Sequence, residues 1–269
     1  MGVLNVTPDS FSDGGCFMDP GLAQARAIRM EEEGAHLIDV GGASSRPGSE
    51  PVSAKEETRR IRPVLKRLSR KIQIPISVDT FQYEVAEMAL DEGASVINDI
   101  CALNGDKRMA KLIARHQAGV VLMHMRGNPK TMQSRPAYRH LLEEIRDYLR
   151  QAVRFATDAG IPRSNIAVDP GFGFGKTTQQ NLEILSRLDF FSTLNCPLLV
   201  GLSRKSFIGH LLDVSVSDRL YGSLGAAAAA IEKGAHILRV HDVLPHRHLA
   251  ALLDRTAWAS VNGKRGSCL

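Results

Sequence analysis

Short apolar runs alternate with amphipathic stretches along the whole chain. The runs fall at 2–5, 36–40, 74–79, 95–99, 119–124, 166–169, 198–202 and 237–241. The stretches between and after them, at 20–33, 53–70, 82–92, 106–117, 138–159, 177–188, 217–233 and 245–262, carry the mixed pattern of half-buried helices. Strands this short and wholly apolar suit a parallel sheet covered on both faces. Eight repeats of strand then helix predict an α/β protein, a closed (β/α)8 TIM barrel, because open doubly wound sheets usually carry fewer repeats. Glu33-Gly34-Ala35, Glu92-Gly93-Ala94 and Lys233-Gly234-Ala235 each stand between a helix and the next strand. Glycine there can take the left-handed conformation that ends a helix. No low-complexity linker divides the chain, so one domain over 1–262 is expected, with 263–269 as a frayed tail.

The polar residues sharpen the picture. Strand after strand ends in a side chain that apolar packing would not select: Asn5, Asp39, Asp79, Asn98 with Asp99, His124, Asp169, Ser203, then Arg239 and His241. In a barrel these ends meet on one rim, where barrel enzymes carry their chemistry. A helix cap explains any one of them as well as a site does. Recurrence at nearly every strand favours a polar site.

That rim offers three acids (Asp79, Asp99, Asp169), two amides (Asn5, Asn98), Lys205, Arg239 and His241. Zinc spacing is absent: His246-Arg247-His248 is too close-set and sits in a predicted helix. Gly201-Leu202-Ser203 continues into Arg204-Lys205, so it is no nucleophile elbow. Gly171-Phe172-Gly173-Phe174-Gly175-Lys176-Thr177 resembles a phosphate loop but has Pro170 where that loop needs glycine. It reads as a flexible, close-approach loop. Lys205 begins a predicted helix whose first turn suits an anion. Arg239 and His241 alternate on the last strand and share one face. Two cations on one side and fixed carboxylates on the other suggest a bipartite ligand. One part is an anion such as a diphosphate; the other is a heterocycle whose donors pair with Asp169 through two parallel hydrogen bonds. A helix cap or loop salt bridge is the plainer reading of Asp169.

Composition narrows the class without naming it. The chain of 269 residues is 43% hydrophobic and 23% charged, ordinary for a globular enzyme. No apolar run approaches the roughly 18 residues of a membrane span, and the opening residues predict no signal peptide. Cys16, Cys101, Cys196 and Cys268 lie far apart, which suits a reducing cytoplasm. The net charge of +5 gathers partly at Arg59, Arg62, Lys66 and Arg70. Without interleaved aromatics this reads as a solvated helix face, and neither a nucleic acid nor a membrane is expected as partner.

Taken in order, the motifs resemble the dihydropteroate synthase family. They are Asn5-Val6-Thr7-Pro8-Asp9-Ser10-Phe11-Ser12-Asp13-Gly14-Gly15, Ser45-Arg46-Pro47-Gly48, Ile76-Ser77-Val78-Asp79-Thr80, Val96-Ile97-Asn98-Asp99, Met123-His124-Met125-Arg126-Gly127, Asp169 through Lys176, Ser203-Arg204-Lys205-Ser206 and Arg239-Val240-His241-Asp242. The resemblance implies condensation of 4-aminobenzoate with (7,8-dihydropterin-6-yl)methyl diphosphate, releasing diphosphate, in folate biosynthesis. It implies catalytic roles for Asn5, Lys205, Arg239 and His241, with Asn5 helping to hold Mg²⁺ and the diphosphate. Asp79, Asn98, Asp169, Lys205 and Arg239 would bind the pterin. Asp13, Ser45, Arg46, Pro47, Phe174 and Ser203 would serve the aminobenzoate and the closing loops. Sulfonamides are implied as competitive inhibitors, and a homodimer through outer helices as the assembly.

Three departures from the family pattern stand out. Ala43 and Ser45 replace the usual Glu and Thr of the loop after the second strand. The chain starts almost inside the first strand, where relatives usually carry residues that plug the barrel floor. Asn128 follows Gly127 where Thr is common. Two other readings stay open at this point. One is a methyltransferase on the same fold that takes a methyl group from methyltetrahydrofolate; the other is a pterin-binding protein without activity. Diphosphate release separates both from the synthase.

Overall fold

The computed structural model describes residues 1–7, 19–44, 49–127, 132 and 137–263, with side chains in the last helix described to 257. Eight parallel strands appear where the apolar runs predict them: β1 (Gly2–Asn5), β2 (Ile38–Gly41), β3 (Ile76–Asp79), β4 (Val96–Asp99), β5 (Gly119–Met123), β6 (Ile166–Asp169), β7 (Leu199–Val200) and β8 (Ile237–Leu238). β1 to β6 pair in chain order, and β7 pairs with β8. Single parallel bridges, Val168 to Leu198 and Gly2 to Val240, join the two sheets. Val168 N donates to Pro197 O at 2.9 Å, and Val3 N to Val240 O at 2.9 Å. These bonds close the (β/α)8 barrel.

β7 and β8 are shorter than the runs that predict them. Beyond Val200 the ladder gives way to a side chain: His241 N donates to Ser203 Oγ at 3.2 Å. Arg204 then turns the chain at φ +56°.

Helices α1 (Pro20–Glu32), α2 (Ala54–Leu68), α3 (Tyr83–Asp91), α4 (Arg108–Arg115), α5 (Leu141–Asp158), α6 (Thr178–Ser186), α7 (Ser206–Leu212), α8 (Leu220–Glu232) and α9 (Val243–Gly263) surround the strands. Local chemistry fixes their starts. Asp19 caps α1 by accepting from Gly21 N at 2.6 Å, with Pro20 already at helical φ. Thr177 and Gln180 form a reciprocal capping box at α6. Gly34, Gly93 and Gly234 have φ of +89°, +99° and +88°, the helix-ending role their position predicts. The helix predicted to begin at Lys205 is the short α7, with Lys205 at its N-cap, and the stretch 217–233 holds α8.

Most of the core lies between barrel and helices, where Ile38, Ile61, Leu65, Leu68, Ile97 and Ile113 are fully buried. A second, smaller cluster of Val121, Ala167 and Leu199, with Met1, Val96 and Ile237, fills the barrel interior. The basic face of α2 is solvated as expected: Arg59 reaches Glu56 at 2.7 Å and Arg62 reaches Glu92 at 2.8 Å. Among the described residues no helix is long and apolar enough to cross a membrane.

Candidate active site at the carboxyl rim

Register places the polar rim. Asn5 pairs with Gly41, Gly41 with Asp79, and Asp79 with Asn98, so these residues form one rung across four strands and share the inward face. On β6, Asp169 pairs with Met123 and faces the same space. A cleft opens there, lined by Asp79, Asn98, Ile100, Met123, Asp169, Phe172, Phe174, Gly201, Lys205 and Arg239. All five residues expected to bind the pterin therefore line one space. A lining that combines apolar and aromatic side chains with convergent polar groups suits a small heterocycle.

Arg239 is held from two sides. Its Nε donates to Asp39 Oδ2 at 2.6 Å and its Nη2 to Asp79 Oδ2 at 2.8 Å. Burial alone would lower its pKa, but Asp39 and Asp79 hold it above the ordinary arginine value. Asp39 is fully buried and also accepts from Asn98 Nδ2 at 3.1 Å. The sequence reading noted Asp39 on the rim but gave it no role. Its inward place beside Gly41 on β2 is the signal that identifies it.

Burial raises Asp79 to about 7; Arg239 opposes the shift, and the charges of Asp39 and Glu57 add to it. Asp169 is also raised by burial, against a hydrogen bond from Gly171 N and the charges of Lys205, Lys176 and Arg239. Both groups therefore sit where proton occupancy responds to a ligand. Lys205 Nζ lies 4.3 Å from the centroid of the Phe174 ring, which gives that wall a cation on an aromatic face.

Two expected rim groups turn elsewhere, and a third is neutral where a cation was expected. Asp99 follows Asn98 on β4 and, by strand alternation, points to the other face. Its carboxylate accepts from Cys101 N at 2.7 Å and Leu103 N at 2.8 Å, fixing a turn in which Ala102 and Leu103 have φ of +50° and +66°. It is not a cleft acid. His124 packs edge-on against Tyr148, with ring centroids 4.9 Å apart, and burial lowers its pKa to about 2. His241 is lowered to about 3 by burial and by the charges of Arg239 and Arg204, so the second cation expected on β8 is a neutral imidazole here. Its Nδ1 is 3.1 Å from Ser203 Oγ. Arg204, a further cation of the anion-suited turn, is engaged by Asp242 at 2.6 Å.

Asn5, Ser203 and His241 lie at the strand ends beside the cleft but outside its lining. Phe174 lines it. Asp13, Ser45, Arg46 and Pro47 lie outside the described residues, as does Asn128.

The loop after β6 was read as flexible. The structure shows the close approach, with hydrogen bonds along the loop: Gly171 N donates to Asp169 Oδ1 at 2.7 Å, Gly173 N to Asn181 Oδ1 at 2.8 Å, and Tyr138 Oη to Gly175 O at 3.0 Å. Gly171 has φ +73°, and a Cβ there would lie 1.9 Å from His124 O. Only glycine fits.

Comparison with known proteins agrees with this geometry. The family model of the pterin binding enzymes matches residues 1–241. The dihydropteroate synthase of Bacillus subtilis is 43% identical over 254 residues, covering 94% of this chain and 87% of that protein. Among solved structures, Yersinia pestis dihydropteroate synthase with a sulfonamide drug superposes with a TM-score of 0.93 at 41% identity, over 96% of this chain and 94% of that one. Xanthomonas albilineans dihydropteroate synthase with 4-aminobenzoic acid gives 0.88 at 41% identity, over 96% and 92%. With identity this high over nearly the full length and the same barrel beneath it, the chain belongs to the pterin-binding enzymes, within the dihydropteroate synthase family.

Proposed function

We propose that the chain joins 4-aminobenzoate to (7,8-dihydropterin-6-yl)methyl diphosphate, forming 7,8-dihydropteroate and diphosphate. The observation that carries this reading is the shared cleft of Asp79, Asn98, Asp169, Lys205 and Arg239. Asp169 accepts two parallel hydrogen bonds from the amino-pyrimidine edge of the pterin, and Lys205 donates to the carbonyl on the opposite edge. Asp79 and Asn98 line the ring's slot, and Arg239 covers its face. The methylene C–O bond breaks with its electron pair leaving on the diphosphate, and the ring delocalises the positive charge left on carbon. The aminobenzoate nitrogen then bonds to that carbon and loses a proton to solvent. An aromatic amine is a free nucleophile near neutral pH, so no side chain is assigned as general base.

The leaving group meets Arg239, Asn5 and His241 at the β1–β8 side of the rim. Burial and neighbouring cations hold His241 neutral, and a diphosphate beside it would favour its protonation and gain a charge-assisted bond. Among the described residues no three His, Cys, Asp or Glu side chains converge into a metal cage. Mg²⁺ usually keeps several waters and is held largely by substrate phosphates, so it needs few protein oxygens. Asn5 would supply one such oxygen. Mg²⁺ bound there would neutralise charge developing on the diphosphate.

The proposal extends to sulfonamides as competitors for the aminobenzoate position, to a cytoplasmic location and to a homodimer. Leu211, Leu212 and Tyr221, 55%, 50% and 83% exposed on α7 and α8, support a buried outer-helix contact. The test is diphosphate release with 4-aminobenzoate varied, with and without a chelator. Saturable release that depends on both substrates and on Mg²⁺ is expected. Saturable pterin binding without release would mark a binding protein.

A further inference from the structure

Lys176 is 3% exposed, and burial lowers its pKa to about 7 against the charge of Asp169; its ammonium form is bonded to neutral groups. Its Nζ donates to Gly171 O at 2.8 Å and Phe174 O at 3.0 Å, and lies 3.1 Å from His124 Nδ1. His124 is neutral, so its Nδ1 accepts and its proton sits on Nε2. Asp169 from β6 and Lys205 from the segment before α7 face Lys176 electrostatically, and neither is among these three partners. A buried lysine usually pairs with a carboxylate. This one has its three donors spread over a single loop and the strand end beneath it.

The loop so held carries two walls of the cleft. At one end, Gly171 N bonds the Asp169 carboxylate. At the other, the Phe174 ring faces Lys205 Nζ at 4.3 Å. Between them Gly173 approaches so closely that a Cβ would stand 3.3 Å from Lys205 Cδ. The two carbonyls that Lys176 draws together belong to the residues at these two ends. One ammonium thus sets the separation between the acid that reads the heterocycle and the ring that lines the opposite wall.

We infer that Lys176 is a positioning residue for the transfer reaction, fixing the Phe174 ring against Lys205 and thereby the wall met by the incoming aromatic amine. The inference rests on the proposed function. Lys176 touches neither substrate in this assignment; it acts through Phe174. Substitution therefore affects the amine substrate more than the pterin, which Asp79, Asn98 and Arg239 hold independently of this loop.

The test compares the unaltered chain with Lys176→Met, Phe174→Ala and the double variant. Diphosphate release gives the KM for each substrate, and amide hydrogen exchange over 171–175 reports the loop without any chemistry. Lys176→Met is expected to raise the KM for 4-aminobenzoate about tenfold and that for the pterin diphosphate less than about threefold. In the Phe174→Ala background it should add less than about twofold, because both changes act through one ring. Exchange of the loop amides should quicken. An unchanged KM for 4-aminobenzoate, or effects that simply multiply in the double variant, overturns the assignment. If Lys176→Met does not fold, Lys176→Gln takes its place in the same comparison, since its amide keeps two donors on a shorter stem. If the unaltered chain releases no diphosphate, the functional reading has failed instead. The positioning role for the transfer then falls with it, and exchange reports only whether Lys176 holds the loop.

Discussion

Arg239 and Asp39 stand 200 positions apart in the chain and 2.6 Å apart at their ion pair. Asp39 has no exposed surface, and among the described residues its second oxygen, Oδ1, has no hydrogen-bond partner. The pair orients the guanidinium whose other nitrogen reaches Asp79 at 2.8 Å. Arg239 is therefore aimed before any ligand arrives, and a preorganised cation acts on developing charge without rearranging first.

Asp39→Asn keeps the shape of the side chain and removes half of Arg239's buried counter-charge. Breaking a buried pair on one side typically costs about 3 kcal/mol or more. The urea midpoint should fall accordingly, and kcat/KM should drop because Arg239 is no longer fixed. The charge of Asp39 also helps raise Asp79, so Asp79 in the variant should titrate below its present value of about 7. Carbonyl-region infrared or NMR titration of Asp79 checks the direction. An unchanged Asp79 titration would show that the two carboxylates are not coupled.

Asp169→Asn replaces an acceptor pair with one acceptor and one donor, so the amide meets the donors of an amino-pyrimidine edge with its own N–H. Loss of one charge-assisted bond and a new mismatch should weaken pterin binding by about a hundredfold. Equilibrium binding of a pterin to the variant measures this directly. Near-native affinity would remove Asp169 from the recognition role.

His241 supplies a pH signature. Its pKa falls from 6.5 to about 3 on folding, chiefly through burial. Between those values the unfolded chain takes up a proton that the folded chain refuses, so stability from this group is complete above 6.5 and is lost as pH falls toward 3. At pH 5 the loss is about 2 kcal/mol. Thermal midpoints of the unaltered chain and His241→Gln, measured from pH 7 to 4, should therefore converge or cross as the pH drops. A constant difference across that range would contradict a neutral buried imidazole.

Ala43 occupies the loop after β2, where the family pattern has glutamate. Its neighbour Gly42 is gripped from below: Arg60 Nη1 donates to Gly42 O at 3.0 Å, and Ser49 Oγ bonds Ser44 O at 2.6 Å. The legs of the loop are thus fixed, and Ala43→Glu adds a carboxylate to a prepared neck. The KM for 4-aminobenzoate or the inhibition constant of a sulfonamide should shift by roughly threefold to tenfold, the scale of one hydrogen bond. Identical constants in both proteins would dismiss the effect of this departure.

The sequence alone was enough for the barrel and for most of the rim. Eight apolar runs cannot be buried on both faces unless helices cover them, and the polar residue closing each run marks the end that faces the chemistry. Asp79, Asn98, Asp169 and Arg239 follow from that pattern, Lys205 from the helix predicted to begin there, and the family resemblance joins the five around one ring. Local caps and helix-ending glycines such as Gly34 and Gly93 were legible too, because their energetics involve only a few neighbouring residues.

Direction and charge state were left to the tertiary structure. Asn98 and Asp99 look alike as adjacent polar residues, and only strand pairing sends one into the cleft and the other beneath a turn. His241 reads as a cation until burial and two nearby arginines hold it neutral. Lys176 reads as part of a glycine-rich loop until three acceptors from separate points converge on its nitrogen. Periodicity fixes which residues share a face, since it is a local property of the backbone. Desolvation and ion pairing depend on which distant segments meet, and that is decided only when the chain closes on itself.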